Sequence, residues 1–178
     1  IKKFTNGRYD KVKLNENAVP IISDKEYVQI DPDFTNSNLT EDQTLLIFDN
    51  QLCFEESDVQ DHKFKKIMLL QNTNLTRRIE LDDELIKFKS DLIHDQQDRL
   101  KDHFEVEIRD ISYLNNLDLI DKIALYPGVG ENLDYLKQNQ IHLNCLYRSL
   151  DQMTNPYCKK GFFNFKNFIP KIISQINV

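Results

Sequence analysis

Apolar residues run without a break, or alternate with polar ones, at several places in the first two thirds of the chain. Residues 44–56, TLLIFDNQLCFEE, predict two strands joined by a tight hairpin at Asp49-Asn50, because both residues tolerate a left-handed backbone. The apolar run at 67–70 predicts a buried central strand, and the alternation at 27–31 predicts a short strand near the start.

The longest periodic segment covers residues 79–104. Its apolar residues recur at three- and four-residue steps, which predicts one buried face of a long amphipathic helix; they are Leu81, Leu85, Phe88, Leu92, Ile93, Leu100 and Phe104. Residues 104–111 then alternate and predict a second strand. A strand, a helix and a strand in succession predict an α/β unit with parallel strands.

The pattern changes after residue 113, where no strand is predicted. Helical patterns occupy residues 113–125, 131–139, 142–153 and 163–176. The sequence therefore predicts an α/β domain at residues 1–113 and a small all-helical module at residues 114–178.

Charge is distributed unevenly along the chain. The net charge of −6 and the pI of about 5.2 exclude a protein that coats nucleic acid over its whole surface. Residues 156–178 nevertheless contain no acidic residue and four lysines, which are Lys159, Lys160, Lys166 and Lys171. A local basic surface is therefore expected at the C-terminal end.

Two further features limit the function classes. The chain has no apolar run of 18 residues, so no membrane partner is expected. Its three cysteines show no Cys-x-x-Cys spacing, which predicts neither a disulfide framework nor a zinc site. No cofactor is expected.

The turn Tyr126-Pro-Gly-Val-Gly holds two of the four glycines in the chain. Pro127 ends a helix, and Gly128 and Gly130 permit backbone angles that other residues avoid. A helix that starts directly after this turn would direct its free N–H groups beside it, where they suit a phosphate. Such binding would contact the nucleic-acid backbone and not the base edges. Because a helix is predicted before the turn, a dinucleotide-binding loop is not expected.

The segment IALYPGVGENLDYL resembles the helix–hairpin–helix motif at Pro127, Gly128, Val129 and Gly130, and departs from it at Tyr126 and Asp134. A second, more degenerate hairpin would fall near Gly161. An α/β domain followed by such a tandem module resembles the XPF family of structure-specific endonucleases. Active members carry a Gly-Asp…Glu-Arg-Lys-x-x-x-Asp signature, which this sequence lacks.

The resemblance implies a nuclease-dead XPF-like subunit. Such a chain would pair with a small partner of the XPF fold and bind branched or junction DNA. It would act in the nucleus, on chromosomes, in meiotic recombination and crossover formation. No catalytic residue and no metal are expected.

The same resemblance implies which residues bind DNA and the partner. The loop amides would contact phosphate and the lysines would add charge; the set is Gly128, Val129, Gly130, Lys122, Lys137, Lys159, Lys160, Lys166 and Lys171. A cluster of four phenylalanines predicts either a partner surface or the core of the helical module: Phe162, Phe163, Phe165 and Phe168. Two other functions remain open, which are a scaffold without DNA binding and an active metal-dependent endonuclease.

Overall fold

A five-stranded parallel sheet forms the centre of the α/β fold seen in the computed structural model, which describes residues 38–73 and 81–176. The sheet order is β3-β2-β1-β4-β5, and each neighbouring pair is parallel. The strands are β1 (Thr44–Phe48), β2 (Lys66–Gln71), β3 (Val106–Asp110), β4 (Lys122–Leu125) and β5 (Asn144–Leu146).

Helices connect these strands and follow them. Helix α1 (Asp83–Leu100) leads from β2 towards β3, and α2 (Glu131–Gln138) joins β4 to β5. The C-terminal segment contains α3 (Ser149–Thr154), α4 (Phe162–Phe165) and α5 (Ile169–Ile176). Short 3-10 turns lie at Phe54–Glu56, Ile111–Asn116, Asn155–Lys160 and Lys166–Phe168. None of the helices in the described ranges combines the length and apolar character that crossing a bilayer requires.

The core covers both faces of the sheet. On one face, Leu45 and Ile67 pack with Ile93 of α1. On the other, Phe48 belongs to a cluster with Leu136 of α2. All five residues of β1 are buried, as expected for a parallel strand with neighbours above and below. Burying each such side chain contributes about 1.5–3 kcal/mol.

Three sequence predictions for the chain before residue 113 are confirmed. The buried central strand is β2, which lies between β1 and β3. The long helix is α1, and the Asp82 side chain caps it by accepting from the Glu84 N–H at 2.9 Å. The strand after this helix is β3, parallel to β2. The strand predicted at 27–31 lies outside the described residues.

The hairpin predicted at Asp49-Asn50 is wrong. Strand β1 pairs in parallel with β2 on one side and with β4 on the other. Since both edges of β1 are occupied, the residues that follow it cannot fold back against it. They turn away instead and enter the 3-10 turn Phe54–Glu56.

The helices predicted over 113–125 and in the first part of 142–153 are also wrong, because β4 and β5 occupy these segments. Strands of three or four residues are too short to show a period of two. The sheet therefore crosses the predicted boundary between residues 113 and 114. The helix-only part of the described chain begins at Ser149. The helices predicted at 131–139 and 163–176 are confirmed as α2 and as α4 with α5.

Candidate binding crevice at the carboxyl edge of the sheet

The strand order creates a crevice between the carboxyl ends of β1 and β4. From β1 the chain moves to β2 on one side, whereas from β4 it moves to β5 on the other side. Parallel α/β sheets bind ligands at such switch points, outside the carboxyl ends of the strands. Here the crevice is bordered by Asp49 and Asn50 after β1 and by residues 127–130 after β4, which we call the glycine loop.

A network of side-chain amides closes the bottom of the crevice. The Asn132 amide nitrogen donates to Asp49 Oδ1 and to Asn50 Oδ1, each at 2.9 Å. The Asn132 oxygen accepts from Asn72 Nδ2 at 3.0 Å. Asn132 and Asn72 are both buried, and a buried amide is stable only when it is hydrogen-bonded. The network therefore joins the ends of β1 and β2 to the first turn of α2.

The Asp49 carboxylate is neutralised within this network. Its side chain is only 3% exposed, and Lys89 Nζ of α1 lies 2.9 Å from Oδ2. The same oxygen accepts from the Asn72 N–H at 3.2 Å, and Lys89 also donates to the Asn72 carbonyl at 3.2 Å. A buried carboxylate requires such pairing. Both oxygens of Asp49 are thus occupied by donors of the protein itself.

The glycine loop is anchored at its start and open at its glycines. Asn50 Nδ2 donates to the Pro127 carbonyl at 2.6 Å, and Pro127 is fully buried. Gly128 has a φ of 71° and Gly130 a φ of 143°, and no heavy atom lies within 4 Å of where a Cβ would stand. Val129 between them is 83% exposed. The loop therefore presents its backbone outward from a fixed base.

Helix α2 starts directly at this loop. Gly130 is its N-cap and provides no side-chain cap, and the first helical hydrogen bond runs from Asp134 N–H to Gly130 O at 2.9 Å. The first N–H groups of a helix have no partner within it and attract anions. Glu131 and Asp134 lie in the same turn, and their charges weaken that attraction.

The space beside the loop is small. A cavity of about 250 Å³ lies between the loop, Lys89, Asn132 and the end of β1. This is below the usual range of about 300–1,000 Å³ for small-molecule pockets. It suits one charged group of a larger ligand better than an entire nucleotide.

The segment before the glycine loop corrects the helix–hairpin–helix interpretation. Residues 122–125 form strand β4, so the loop joins a strand to a helix. The argument against a dinucleotide-binding loop, which relied on a preceding helix, therefore also fails. Such loops carry a third glycine three residues after the second, and Leu133 occupies that position here.

The structure separates some of the predicted DNA-binding residues. Lys122 begins β4 whereas the loop follows its end, and Lys122 pairs with Asp121. Lys137 lies in the last turn of α2, about 10 Å along the helix from Gly130. These two lysines do not lie at the loop.

Lys166 and Lys171 lie in the C-terminal segment, where Lys171 Nζ is 5.6 Å from the centre of the Tyr157 ring. The side chains of Lys159 and Lys160 lie outside the described part.

The four predicted partner-binding phenylalanines divide into two pairs. Phe162 and Phe163 are 65% and 83% exposed. Phe165 and Phe168 are half-buried, and Phe168 stacks on Tyr157 with ring centres 4.6 Å apart. The sequence predicts either a partner surface or a core for these four residues. Phe165 and Phe168 are packed as a core requires, whereas the exposure of Phe162 and Phe163 leaves the partner surface a prediction.

The sequence interpretation missed the residues that build the crevice, which are Asp49, Asn50, Asn72, Lys89 and Asn132. One signal was present: two polar residues directly follow each of the apolar runs that became β1 and β2. In a parallel sheet these positions meet at one edge. The Asp49-Asn50 pair was instead interpreted as a hairpin turn.

A second aspartate at a strand end on this edge is also engaged. Asp110, at the end of β3, accepts from Ser112 N–H at 2.9 Å and from Thr73 Oγ1 at 3.2 Å. Within the described ranges, no group of three or more His, Cys, Asp and Glu residues is arranged to hold a metal ion.

Comparisons with known proteins gave no relative: no protein-family model, no curated protein and no solved structure matches this chain.

Proposed function

We propose that this chain is a non-catalytic binding subunit that contacts the backbone of branched DNA through its glycine loop and pairs with a protein partner through its C-terminal segment. Membership of the XPF family, a small XPF-fold partner and a role in nuclear recombination are part of this proposal. The α/β sheet and the helical C-terminal segment are compatible with it. Residues 118–138 are not a helix–hairpin–helix motif in this proposal, because strand β4 precedes the glycine loop.

The observation that carries the proposal is the position of the glycine loop at the switch point of the sheet. Asn50 anchors its base through the Pro127 carbonyl, and the space around Gly128 and Gly130 is open. Since α2 begins there, a phosphate at the loop would meet backbone N–H groups and the positive end of the helix dipole. Backbone contacts of this kind favour binding that is independent of base sequence.

The engagement of the edge carboxylates supports a non-catalytic role. A two-metal nuclease site needs carboxylates that converge on the ions. Asp49 is held by Asn132, Asn72 and Lys89, and Asp110 caps the turn that follows β3. A metal at either residue would have to break these hydrogen bonds.

The exposure of Phe162 and Phe163 supports a protein partner. Their ring centres are 5.8 Å apart, and Ile173 and Ile176 of α5 are also about half exposed. Several exposed large apolar side chains within residues 162–176 favour an interaction with a protein.

Val129 offers a direct test of the DNA part. We expect Val129→Glu to weaken binding of a four-way junction about 10-fold, because it places a negative charge among the loop amides. Val129→Gln is the matched control and should bind like the parent. Fluorescence anisotropy at low salt measures both. Equal affinity of the two variants would remove the loop from the DNA site.

The basic C-terminal segment needs a separate test. Changing Lys159, Lys160, Lys166 and Lys171 to Glu should weaken junction binding strongly at low salt and reduce the dependence of the remaining affinity on salt. If the affinity at low salt does not change, these lysines are not part of the DNA site.

A nuclease assay tests the non-catalytic role. Cleavage of a junction or flap with Mg²⁺ or Mn²⁺ would contradict the non-catalytic assignment.

The partner part is tested by co-purification. We expect the tagged parent chain to retain a small protein partner, and Phe162→Ser/Phe163→Ser to lose it while its melting temperature stays close to that of the parent. Leu150→Ser, an exposed apolar residue of α3, serves as the control. A partner that remains bound to the Phe162/Phe163 variant would place the interface elsewhere. A stable complex that ignores DNA would favour the scaffold function.

A further inference from the structure

A second and larger cavity lies at the opposite end of the sheet from the crevice. It measures about 600 Å³ and lies between residues 54–64, which lead into β2, and residues 99–104, which lead into β3. Both segments precede their strands, so this cavity is near the amino ends of β2 and β3. Strand β2 alone separates the two regions by about 20 Å. Its volume falls within the range of about 300–1,000 Å³ that is typical of small-molecule sites.

Aromatic rings line the cavity. Phe54 and Phe64 are 2% and 6% exposed and belong to the main core. Phe54 meets Phe64 edge-on with ring centres 6.4 Å apart, and meets Phe104 edge-on at 5.6 Å. These contacts fix the rings, so Phe54 and Phe64 support the floor of the cavity from the core, and the partly exposed Phe104 offers most of the aromatic surface to a flat ligand.

Charged and titratable side chains surround this aromatic lining. Arg99 is already engaged, since it pairs with Glu55, with Asp95 at 3.0 Å and with the Gln96 oxygen at 3.0 Å. Lys63 and His103 are exposed and line the cavity from its two sides. Within the described ranges, neither side chain makes a hydrogen bond or an ion pair.

His62 adds a third nitrogen-bearing side chain. Its ring packs edge-on against Phe64 with ring centres 4.6 Å apart, and its Nε2 lies 3.2 Å from the Thr40 carbonyl. When Nε2 donates to this carbonyl in the neutral imidazole, the other ring nitrogen is an acceptor, so His62 adds no donor for an anionic group. The acids of the rim are Glu55, which Arg99 neutralises, and Asp61.

We propose that this cavity binds a small planar aromatic molecule that carries a negative charge, with the ring against Phe54, Phe64 and Phe104 and the anionic group towards Lys63 and His103. An aryl carboxylate and a nucleotide share this chemistry. The site is independent of the crevice and of the proposed DNA and partner binding.

Isothermal calorimetry on the full chain tests the proposal with 2-naphthoate and its neutral counterpart, 2-naphthamide. We expect the carboxylate to bind about 2–5-fold more tightly, since an exposed ion pair is weakened by solvent screening. AMP and adenosine form the nucleotide arm. AMP binding more tightly than both adenosine and 2-naphthoate would identify a nucleotide as the ligand class, and the reverse order an aryl acid.

Surface variants place the ligand in the cavity. Lys63→Ala and His103→Ala should each weaken the carboxylate by about 2–5-fold and leave the neutral amide unchanged. The matched controls, Lys65→Ala and His94→Ala, are exposed residues outside the lining and should bind like the parent. Absence of binding, equal binding of acid and amide, or equal loss in the control variants would overturn the proposal.

Discussion

The side-chain amide of Asn132, in the first turn of α2, donates to the Asp49 carboxylate at the end of β1 across 2.9 Å, although 83 residues separate them in sequence. The contact joins the first turn of α2, which lies between β4 and β5, to the carboxyl end of β1. Because Asn132 also bonds Asn50 and Asn72, one amide holds the carboxyl ends of β1 and β2 against the base of the glycine loop. The loop is therefore open but not independent of the core.

Replacing Asn132 should lower the free energy of unfolding more than the small size of its side chain suggests. Asn132→Ala removes the hydrogen bonds that join this side chain to Asp49, Asn50 and Asn72, and removing one partner of a buried hydrogen bond costs about 1–3 kcal/mol. We expect the free energy of unfolding to fall by about 2–3 kcal/mol in a urea titration. Gln138→Ala, at the exposed end of the same helix, should change it by less than about 0.5 kcal/mol. Equal midpoints for the two variants would show that the network carries no stability.

The two loop glycines should differ in their tolerance of alanine. Gly128, at a φ of 71°, is in the left-handed region, where a side chain costs about 1–2 kcal/mol. Gly130, at φ 143° and ψ −163°, is in a region that only glycine adopts readily.

No neighbouring atom would meet either new Cβ, so the difference should come from the backbone alone. We expect Gly130→Ala to destabilise more than Gly128→Ala, and Gly128→Asn to be the mildest, because Asn tolerates the left-handed region. Thermal melts of the three variants would establish the order. The opposite order would mean that the loop takes another conformation in solution.

The cysteines should differ in reactivity. Burial raises the pKa of the Cys145 thiol to about 11, so at pH 8 only about one molecule in a thousand carries its thiolate, which is the reactive form. Cys53 and Cys158 are exposed. We expect Ellman's reagent to modify two thiols quickly and the third at least about 100-fold more slowly.

Two controls identify the slow thiol. Cys145→Ala should remove the slow phase, and all three thiols should react together in denaturant. A single fast phase for the native chain would contradict the burial of Cys145.

The sequence predicted the central sheet only where strands are long or flanked by strong patterns. Strand β2 and helix α1 are long enough for their apolar pattern to be recognised, whereas β4 has only four residues and β5 only three. These short strands form because β4 pairs with β1 and β5 pairs with β4. Such pairing depends on the tertiary structure and is not visible in the local pattern of apolar and polar residues. This is why the chain after residue 113 was predicted to be entirely helical.

Only part of the candidate site was predicted, and the reason is related. The glycines of the loop were identified from their type, because few other residues adopt such backbone angles. Asp49, Lys89 and Asn132 were not, because their roles depend on which strand ends lie together. The strand order that brings them together follows from pairing partners far apart in sequence.

The buried face of α1 is narrower than the predicted one, and the difference can be tested by mutation. Of the predicted residues, Ile93 and Leu100 are buried, as expected, whereas Leu85, Phe88 and Leu92 are each more than 40% exposed. Ile93→Ala should lower the free energy of unfolding by about 2–5 kcal/mol. Phe88→Ala should lower it by less than about 1 kcal/mol. A larger loss for Phe88 in a denaturant titration would mean that this face is covered in solution.

The ion pairs between β2 and β3 predict how stability responds to acid. Lys66 Nζ lies 3.1 Å from Glu107 and 3.0 Å from Glu105. Burial alone would raise the pKa of Glu107, but hydrogen bonds from Lys66 and Arg109 lower it below the ordinary value. The hydrogen bonds that Lys66 donates to Glu105 and Glu107 raise the pKa of Lys66.

The two shifts act in different pH windows. A carboxylate whose pKa is lowered by folding stabilises the protein fully above its unfolded value, about 4.3, and loses this contribution as the pH falls through the folded value. Lys66, whose pKa is raised, keeps its contribution below about 10.4 and loses it only above that pH. Glu107 therefore acts in the acid window and Lys66 in the alkaline one.

We expect the free energy of unfolding to decrease between pH 6 and pH 3, and Glu107→Gln to reduce that decrease by about 0.5–1 kcal/mol, the size of a solvent-screened pair. Glu56→Gln, an exposed glutamate of the 3-10 turn Phe54–Glu56, is the control. Urea titrations at the two pH values measure both variants. If Glu107→Gln keeps the full acid dependence of the parent, the pair with Lys66 does not persist in solution and the link between β2 and β3 depends on backbone pairing alone.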